Sequence, residues 1–276
     1  MLNYLTLEQL SYMVGLFHGD GSLYETTRNR GKLSYEISIR DKDIIYKLVK
    51  ILEPLTTCKI TTRTRDTNFK DNHKSITLTI HDKVFREQLK EYMHEGKKST
   101  SIEFDDRLSF KHYLRGLSDA DGSLGLADAG CFWSLCTSSE AVKNRVCILI
   151  AELTGLTKRI NRNSRDGVYN IVVYNEDAQI LCKYIYSDAV IYIDRKYKKF
   201  KDVRDWVRSS PKRKGRKKSW TETEDKLIQD TTLSLEDKMR LTNRTTKSIK
   251  TRLWRLLQKD SIEVVDYIKP LINIKG

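Results

Sequence analysis

Two stretches decide the reading of this chain: Tyr12-Met-Val-Gly-Leu-Phe-His-Gly-Asp-Gly-Ser-Leu23 and Tyr113-Leu-Arg-Gly-Leu-Ser-Asp-Ala-Asp-Gly-Ser-Leu124. They are copies of one pattern, with Asp20 and Asp121 standing 101 residues apart. Similarity at a long fixed distance marks a duplicated structural unit, and the sequence after each copy repeats in kind. After the first, Leu33, Tyr35, Ile37 and Ile39 alternate with polar residues, the period of a half-buried strand. A helix at Asp43–Leu55, strands at Cys58–Arg65 and Ser75–His81, and a helix at Lys83–His94 are expected next. After the second come strands near Ser123–Leu126 and Phe132–Thr137, a helix at Glu140–Leu153, strands at Lys158–Asn163 and Tyr169–Asn175, and a helix at Asp177–Ser187. Neither half covers its own sheet, so the two should share one core.

Each copy reads as a helix that stops at its aspartate. Gly15 and Gly19 are four apart, as are Gly116 and Ala120, and small residues at that spacing let two helix backbones approach. Gly21 and Gly122 suit the left-handed residue that often ends a helix. Asp20 and Asp121 would then sit at the C-terminal ends of two packed helices, where the helix dipoles and their mutual repulsion disfavour two charges. A divalent cation would relieve that strain, oxygen donors are what Mg²⁺ prefers, and such a pair suits phosphodiester hydrolysis. One Asp-Gly pair after a helix is usually only a turn; two copies in matching context are not.

The 276 residues carry 51 Lys+Arg against 37 Asp+Glu, a net charge of +14, which points to a polyanionic partner. Thirteen of those bases lie between Arg195 and Lys218, against Asp202 and Asp205 alone. No apolar run approaches the roughly 20 residues of a membrane span and the N-terminus has no signal-peptide pattern, so a soluble, intracellular protein without a membrane partner is expected. Cys58, Cys131, Cys136, Cys147 and Cys182 are odd in number and mostly among apolar residues; they read as reduced core thiols.

Both copies resemble the LAGLIDADG motif of homing endonucleases. The second, Leu117-Ser-Asp-Ala-Asp-Gly122, is close to the pattern, and the first, Leu16-Phe-His-Gly-Asp-Gly21, departs from it at His18. The resemblance covers about residues 1–200. It implies an α+β fold of two pseudo-symmetric αββαββα repeats, 1–98 and 99–207, forming an antiparallel DNA-binding β saddle. It also implies a monomer that cuts both strands of a long asymmetric DNA site, with Asp20 and Asp121 as the metal-binding catalytic pair and Gly19 and Ala120 beside them at the metal. A basic residue after the last helix of each repeat falls at Lys98, 78 residues past Asp20, and at Lys196, 75 past Asp121; Lys97 and Arg195 compete for the role. Arg40 and Thr137 are further candidates, for positioning water. Asp119 reads as a helix-end carboxylate or a backbone cap, with a supporting role at the site left open.

Strand residues facing away from the apolar side are candidate DNA contacts: Lys59, Thr61, Arg63 and Arg65, then Arg159, Asn161, Asn163 and Arg165. Arg can read guanine and Asn adenine, while either may touch only phosphate. Tyr197, Phe200, Val203, Trp206 and Val207 recur at helical spacing. The segment 208–218 reads as a basic linker along phosphates through Lys212, Arg213, Lys214, Arg216, Lys217 and Lys218, with a nuclear localisation signal as the rival. Residues 219–260 form a third unit. Thr221 and Glu224 have capping-box spacing, and helices fit Leu235–Leu241 and Thr246–Gln258. With Trp220, Trp254 and the Thr245-Thr-Lys-Ser-Ile-Lys250 run, this unit resembles a Myb-like helix-turn-helix, whose outward Lys247, Lys250 and Arg252 would meet DNA; a helical protein-binding module is the alternative. The tail, 261–276, is open between a packed extension and a disordered end. A non-cleaving reading, as an intron RNA maturase or a DNA-binding regulator, stands beside the nuclease.

Overall fold

The first helix starts where Thr6 and Gln9 satisfy each other's backbone. The Gln9 N–H donates to the Thr6 hydroxyl and the Thr6 N–H to the Gln9 side chain, a capping box. The computed structural model describes residues 1–26, 30–67, 70–93, 98–127, 130–208 and 220–260, in two units, Met1–Ser209 and Ser210–Gly276.

In the first unit the order is α1 (Leu7–Asp20), β1 (Gly21–Glu25), β2 (Gly31–Ser38), α2 (Asp43–Leu52), β3 (Cys58–Thr67), β4 (Lys70–Ile80) and α3 (Lys83–Lys90). A short helix, α4 (Lys98–Ser101), precedes the second round: α5 (Phe110–Asp121), β5 (Gly122–Ala127), β6 (Gly130–Thr137), α6 (Glu140–Thr154), β7 (Tyr169–Tyr174), α7 (Asn175–Tyr186) and α8 (Asp194–Asp205). The strands pair antiparallel in two sheets, ordered β1-β2-β4-β3 and β5-β6-β7. The expected α+β class is what forms, and one core serves both rounds: Tyr12, Leu16, Leu33 and Phe85 belong to the same buried cluster as Tyr113, Leu117, Trp133 and Tyr186.

The centre of this core is the contact of α1 with α5. A Cβ added to Gly15 would lie 2.0 Å from the Tyr113 carbonyl oxygen, and one added to Gly116 would lie 2.1 Å from that of Tyr12. The backbones therefore touch, and each glycine serves the other repeat's helix. Two hydrogen bonds tie the same pair: Tyr12 donates to Asp119 (2.7 Å), and the Tyr113 hydroxyl lies 2.9 Å from His18 Nδ1. Tyr12 and Tyr113, and His18 and Asp119, are equivalent positions of the two motifs, so the departure at His18 keeps the cross-helix bond and changes only its partner.

Several expectations need correction. Gly21 and Gly122 are extended (φ −92° and −93°), because β1 and β5 begin at once. Both are glycine for space: a Cβ at Gly21 would meet the Phe17 ring at 2.2 Å, and one at Gly122 the Ser118 carbonyl oxygen at 2.6 Å. The strand expected at Lys158–Asn163 does not form; the segment makes a single bridge, Arg162 to Tyr169. Here the Lys158 ammonium donates to the Val172 carbonyl, a backbone acceptor of β7 that a neighbouring strand would use, and Asn163 closes a turn with Gly167 and Val168. Cys136 is exposed, while Cys131 and Cys182 are buried. The helix expected to run to Val207 ends at Asp205, burying Phe200 and Val203 and leaving Val207 exposed. No helix among the described residues is long and apolar enough to cross a membrane.

The second unit has three helices, α9 (Glu222–Gln229), α10 (Leu235–Thr242) and α11 (Thr246–Asp260). The Thr221–Glu224 capping box opens α9, and Asn243 ends α10 in the left-handed conformation. Ile228, Ile249 and Leu253 form its core, with Trp220, Leu235 and Met239 against them.

The glycine contact yields a direct prediction. Gly116→Ala should cost roughly 2 kcal/mol or more in urea unfolding, because overpacking of a backbone contact outweighs alanine's better helix propensity. Unchanged or increased stability would mean that the helices do not touch there.

Candidate active site

The two motif helices end together. A Cβ on Gly19 would lie 2.1 Å from the Ala120 Cβ and 3.3 Å from Asp121 Oδ2, so the Asp121 carboxylate stands against the last turn of α1, the turn that carries Asp20. Of the pair Gly19 and Ala120, there is space for one methyl group.

Beside this junction lies a cleft of about 360 Å³, lined by Asp20, Arg40, Asp41, Asp119, Lys196 and Lys199 among others. By spacing Lys196 follows the second motif, yet it shares this cleft with Asp20 of the first. Lys196 is buried, and its ammonium donates to the Ser118 carbonyl (2.7 Å) and the Gly122 carbonyl (2.8 Å) at the C-terminal end of α5. That end carries the negative pole of the helix dipole. Burial lowers the Lys196 pKa, against the attraction of Asp119, Asp20 and Asp41.

Asp119 is not an exposed helix-end group. It is buried and accepts from Tyr12 (2.7 Å), Tyr186 (2.7 Å) and the Ile193 N–H (2.9 Å). It thus joins α1, α5, α7 and the entry to α8. Burial raises its pKa despite Lys196 and these donors.

The sequence reading passed over Asp41. It is 5% exposed and receives both guanidinium arms of Arg195 (2.7 and 2.8 Å), with Arg40 at 3.5 Å. Burial alone would raise the Asp41 pKa; the hydrogen bonds and charge of Arg195 outweigh it and hold the carboxyl below the usual aspartate range. Arg195, weighed as a rival of Lys196, is therefore committed to Asp41. The available signal was faint: an aspartate just past a strand, two residues before another.

Among the remaining candidates, Arg40 is exposed on the cleft wall and Thr137 accepts from the Ser139 N–H (3.2 Å) at the end of β6. Lys98 opens α4, but its side chain, with Lys97 and the linker bases Lys212, Arg213, Lys214, Arg216, Lys217 and Lys218, lies outside the described residues. Lys59, Thr61, Arg63 and Arg65 are exposed on one face of β3, in register with Thr79, Thr77, Ser75 and His73. Arg65 pairs with Glu36 (3.0 Å). Arg159 and Asn161 are exposed, whereas Asn163 caps the turn by accepting from the Arg165 N–H (3.0 Å), and Arg165 pairs with Asp166 (2.8 Å). In the second unit Arg252 is tied to Asp225 (2.5 and 2.8 Å) instead of facing outward, and Arg244, paired with Glu224, covers the Trp220 ring at 4.4 Å. Lys247, Thr251 and Trp254 are exposed along α11, with Lys250 half-buried on the same side.

The donor set can be tested against a metal ion. No cluster of three or more His, Cys, Asp or Glu occurs among the described residues. The carboxylates of Asp20 and Asp121 are oxygen donors of the kind a hard divalent cation takes, the rest of its shell being water and phosphate oxygens.

No family model matches the sequence and no curated protein matches it. Solved structures that are similar include the homing endonuclease I-WcaI bound to its DNA recognition sequence (17% identity, TM-score 0.49, covering 71% of this chain and 87% of that one). Another is I-DmoI in complex with DNA and Mn (17%, TM-score 0.44, 67% and 100%). A third is the I-SmaMI LAGLIDADG homing endonuclease bound to cleaved DNA (13%, TM-score 0.45, 70% and 87%). These likenesses are distant, and the weight of the reading falls on the chain's own geometry.

The Asp41–Arg195 pair predicts a pH dependence. A carboxyl whose folded pKa is depressed adds stability above its unfolded pKa, about 3.9 for aspartate, and loses it as pH falls through the lower folded value. Asp41→Asn should therefore be less stable than the parent at neutral pH, and the gap in Tm should close as pH falls below about 4. A gap constant down to strongly acid pH would show that the pair adds nothing.

Proposed function

We propose that this chain is a site-specific DNA endonuclease of the LAGLIDADG type, a monomer that uses a divalent cation, Mg²⁺ in the cell, to cut both strands of a long asymmetric duplex. The observation that carries the reading is the duplicated motif itself: two helices in backbone contact end together in Asp20 and the carboxylate of Asp121. Stability alone does not favour two aspartates at adjoining helix C-termini; binding a cation there does. The duplication supplies two unlike halves in one chain, as an asymmetric target requires.

In this reading Asp20 and Asp121, with the carbonyls of Gly19 and Ala120 beside them, hold the metal, which when bound lowers the pKa of water and offsets charge on the phosphate. Lys196 spends two of its three N–H bonds on backbone carbonyls, leaving one for a phosphate oxygen in the cleft. Arg40 and Lys199 on the cleft wall add positive charge where a phosphate enters. The polar face of the first sheet, with Lys59, Thr61 and Arg63, and the exposed Arg159 and Asn161 of the second repeat supply groove contacts. The second unit, a Myb-like helix-turn-helix in this proposal, adds phosphate contacts through Lys247 and Lys250 and raises affinity by local concentration.

Incubation with Mg²⁺ and a randomised duplex library, followed by sequencing of cut ends, should return one long asymmetric site. Asp20→Asn and Asp121→Asn should each slow cutting by about 10²-fold or more, with DNA affinity in EDTA retained. Binding to RNA or DNA without any cutting would favour the maturase or regulator reading. Separately, Lys247→Ala should weaken DNA binding and lower the slope of log affinity against log salt by about one; an unchanged slope would remove α11 from the interface.

A further inference from the structure

The first turn of α8 is fastened to the other repeat. Arg195 makes its bidentate pair with Asp41, immediately before α2, and the next residue, Lys196, reaches into the cleft. One residue earlier, the Asp194 N–H donates to Asp43 (2.8 Å), and Lys47 bonds both Asp43 and Asp194 (3.3 and 2.5 Å). The Asp41 carboxylate is thus the buried anchor of a clamp that crosses from repeat one to repeat two and fixes the turn bearing the lysine.

The second repeat is built differently at the same place. Counting back from the buried stripes Leu48, Leu52 and Val146, Ile150, the equivalent of Asp41 is Ser139. Ser139 is buried too, but it donates a hydroxyl to the Ile102 carbonyl, past the end of α4 and within its own repeat. The first repeat is thus held to the second by a charged bidentate pair, where Ser139 makes only a neutral hydrogen bond inside its own repeat.

We propose that Asp41 is a positioning residue for one of the two strand cleavages: through Arg195 it sets where the Lys196 ammonium sits beside Asp20, and it has no such hold on the other half of the site. The inference rests on the endonuclease reading. A bidentate guanidinium–carboxylate pair fixes distance and plane together, and displacement of a phosphate-binding group by about 1 Å costs on the order of 10²-fold in rate. A neutral amide at position 41 keeps the size of the side chain, gives up the charge, and turns an N–H₂ toward the guanidinium. The turn should then shift about its remaining ties, Asp194 to Asp43 and Lys47 and the Ile193 N–H to Asp119, while the shared core keeps the fold.

The test uses the full chain and the duplex recovered from the library, each strand labelled separately. Asp41→Asn should slow cutting of one strand by about tenfold or more at saturating protein, leave the other within about twofold, and so accumulate nicked duplex. Affinity for the same duplex in EDTA should not change. Arg195→Gln should show the same strand bias, and the double variant no further loss, as members of one clamp do. Equal slowing of both strands, a parallel fall in affinity, or additive losses would overturn the proposal and assign the pair to stability alone. Should Asp41→Asn not fold, Arg195→Gln carries the same test. Failure of the unaltered chain to cut any duplex would instead overturn the endonuclease reading, so the two failures are distinguishable.

Discussion

Backbone contact between α1 and α5 is the constraint on which the rest of the first unit depends. With the Tyr113 carbonyl where a side chain of Gly15 would be, and the Tyr12 carbonyl at the same place for Gly116, no residue larger than glycine fits either position. The two sheets hang from this pair, each beginning at the glycine that ends its motif helix. The aspartates before those glycines are brought together as a result.

Around this axis the polar groups divide between holding and acting. Asp119, Tyr12, Tyr186 and the Ile193 N–H are spent on one another; they satisfy a buried carboxyl that would otherwise be costly and fix the entry to α8. Arg115 is fully buried in a similar duty, donating to the Ile185 carbonyl and to Glu8. Lys196 stands between the groups: its stem is in the core, its ammonium reaches the end of α5, and its cleft opens beside Asp20. Burial works against its charge, a cost that a surface lysine would not carry.

Much of this was legible in the sequence because it is written in backbone terms. The duplicated motif predicts the helix pair, its small-residue contact and the shared core, alternation marks β2, and the repeated order places β3, β4, β5, β6 and β7. What was not legible depends on side chains meeting across the repeats. Nothing local marks Asp41 as the partner of Arg195, 154 residues away. Gly21 and Gly122 suggest a left-handed residue because glycine often is one; here the need is for space, which a one-dimensional pattern does not express. The segment Lys158–Asn163, with Ile160 as its one apolar residue, lacks the alternation of a half-buried strand and makes only the bridge from Arg162 to Tyr169. Arg252 looked outward by helical spacing and is held by Asp225, a partner 27 residues earlier.

The two motif ends, in this proposal, form one metal-binding place. Local backbone scission by Fe²⁺ substituted for Mg²⁺, with ascorbate and peroxide, tests it most directly, because the radicals cut peptide bonds only next to the bound ion. A shared site should give fragments ending near both Asp20 and Asp121 from the same protein, suppressed by excess Mg²⁺ and lost in Asp20→Asn. Cuts at one motif alone, or elsewhere in the chain, would contradict it.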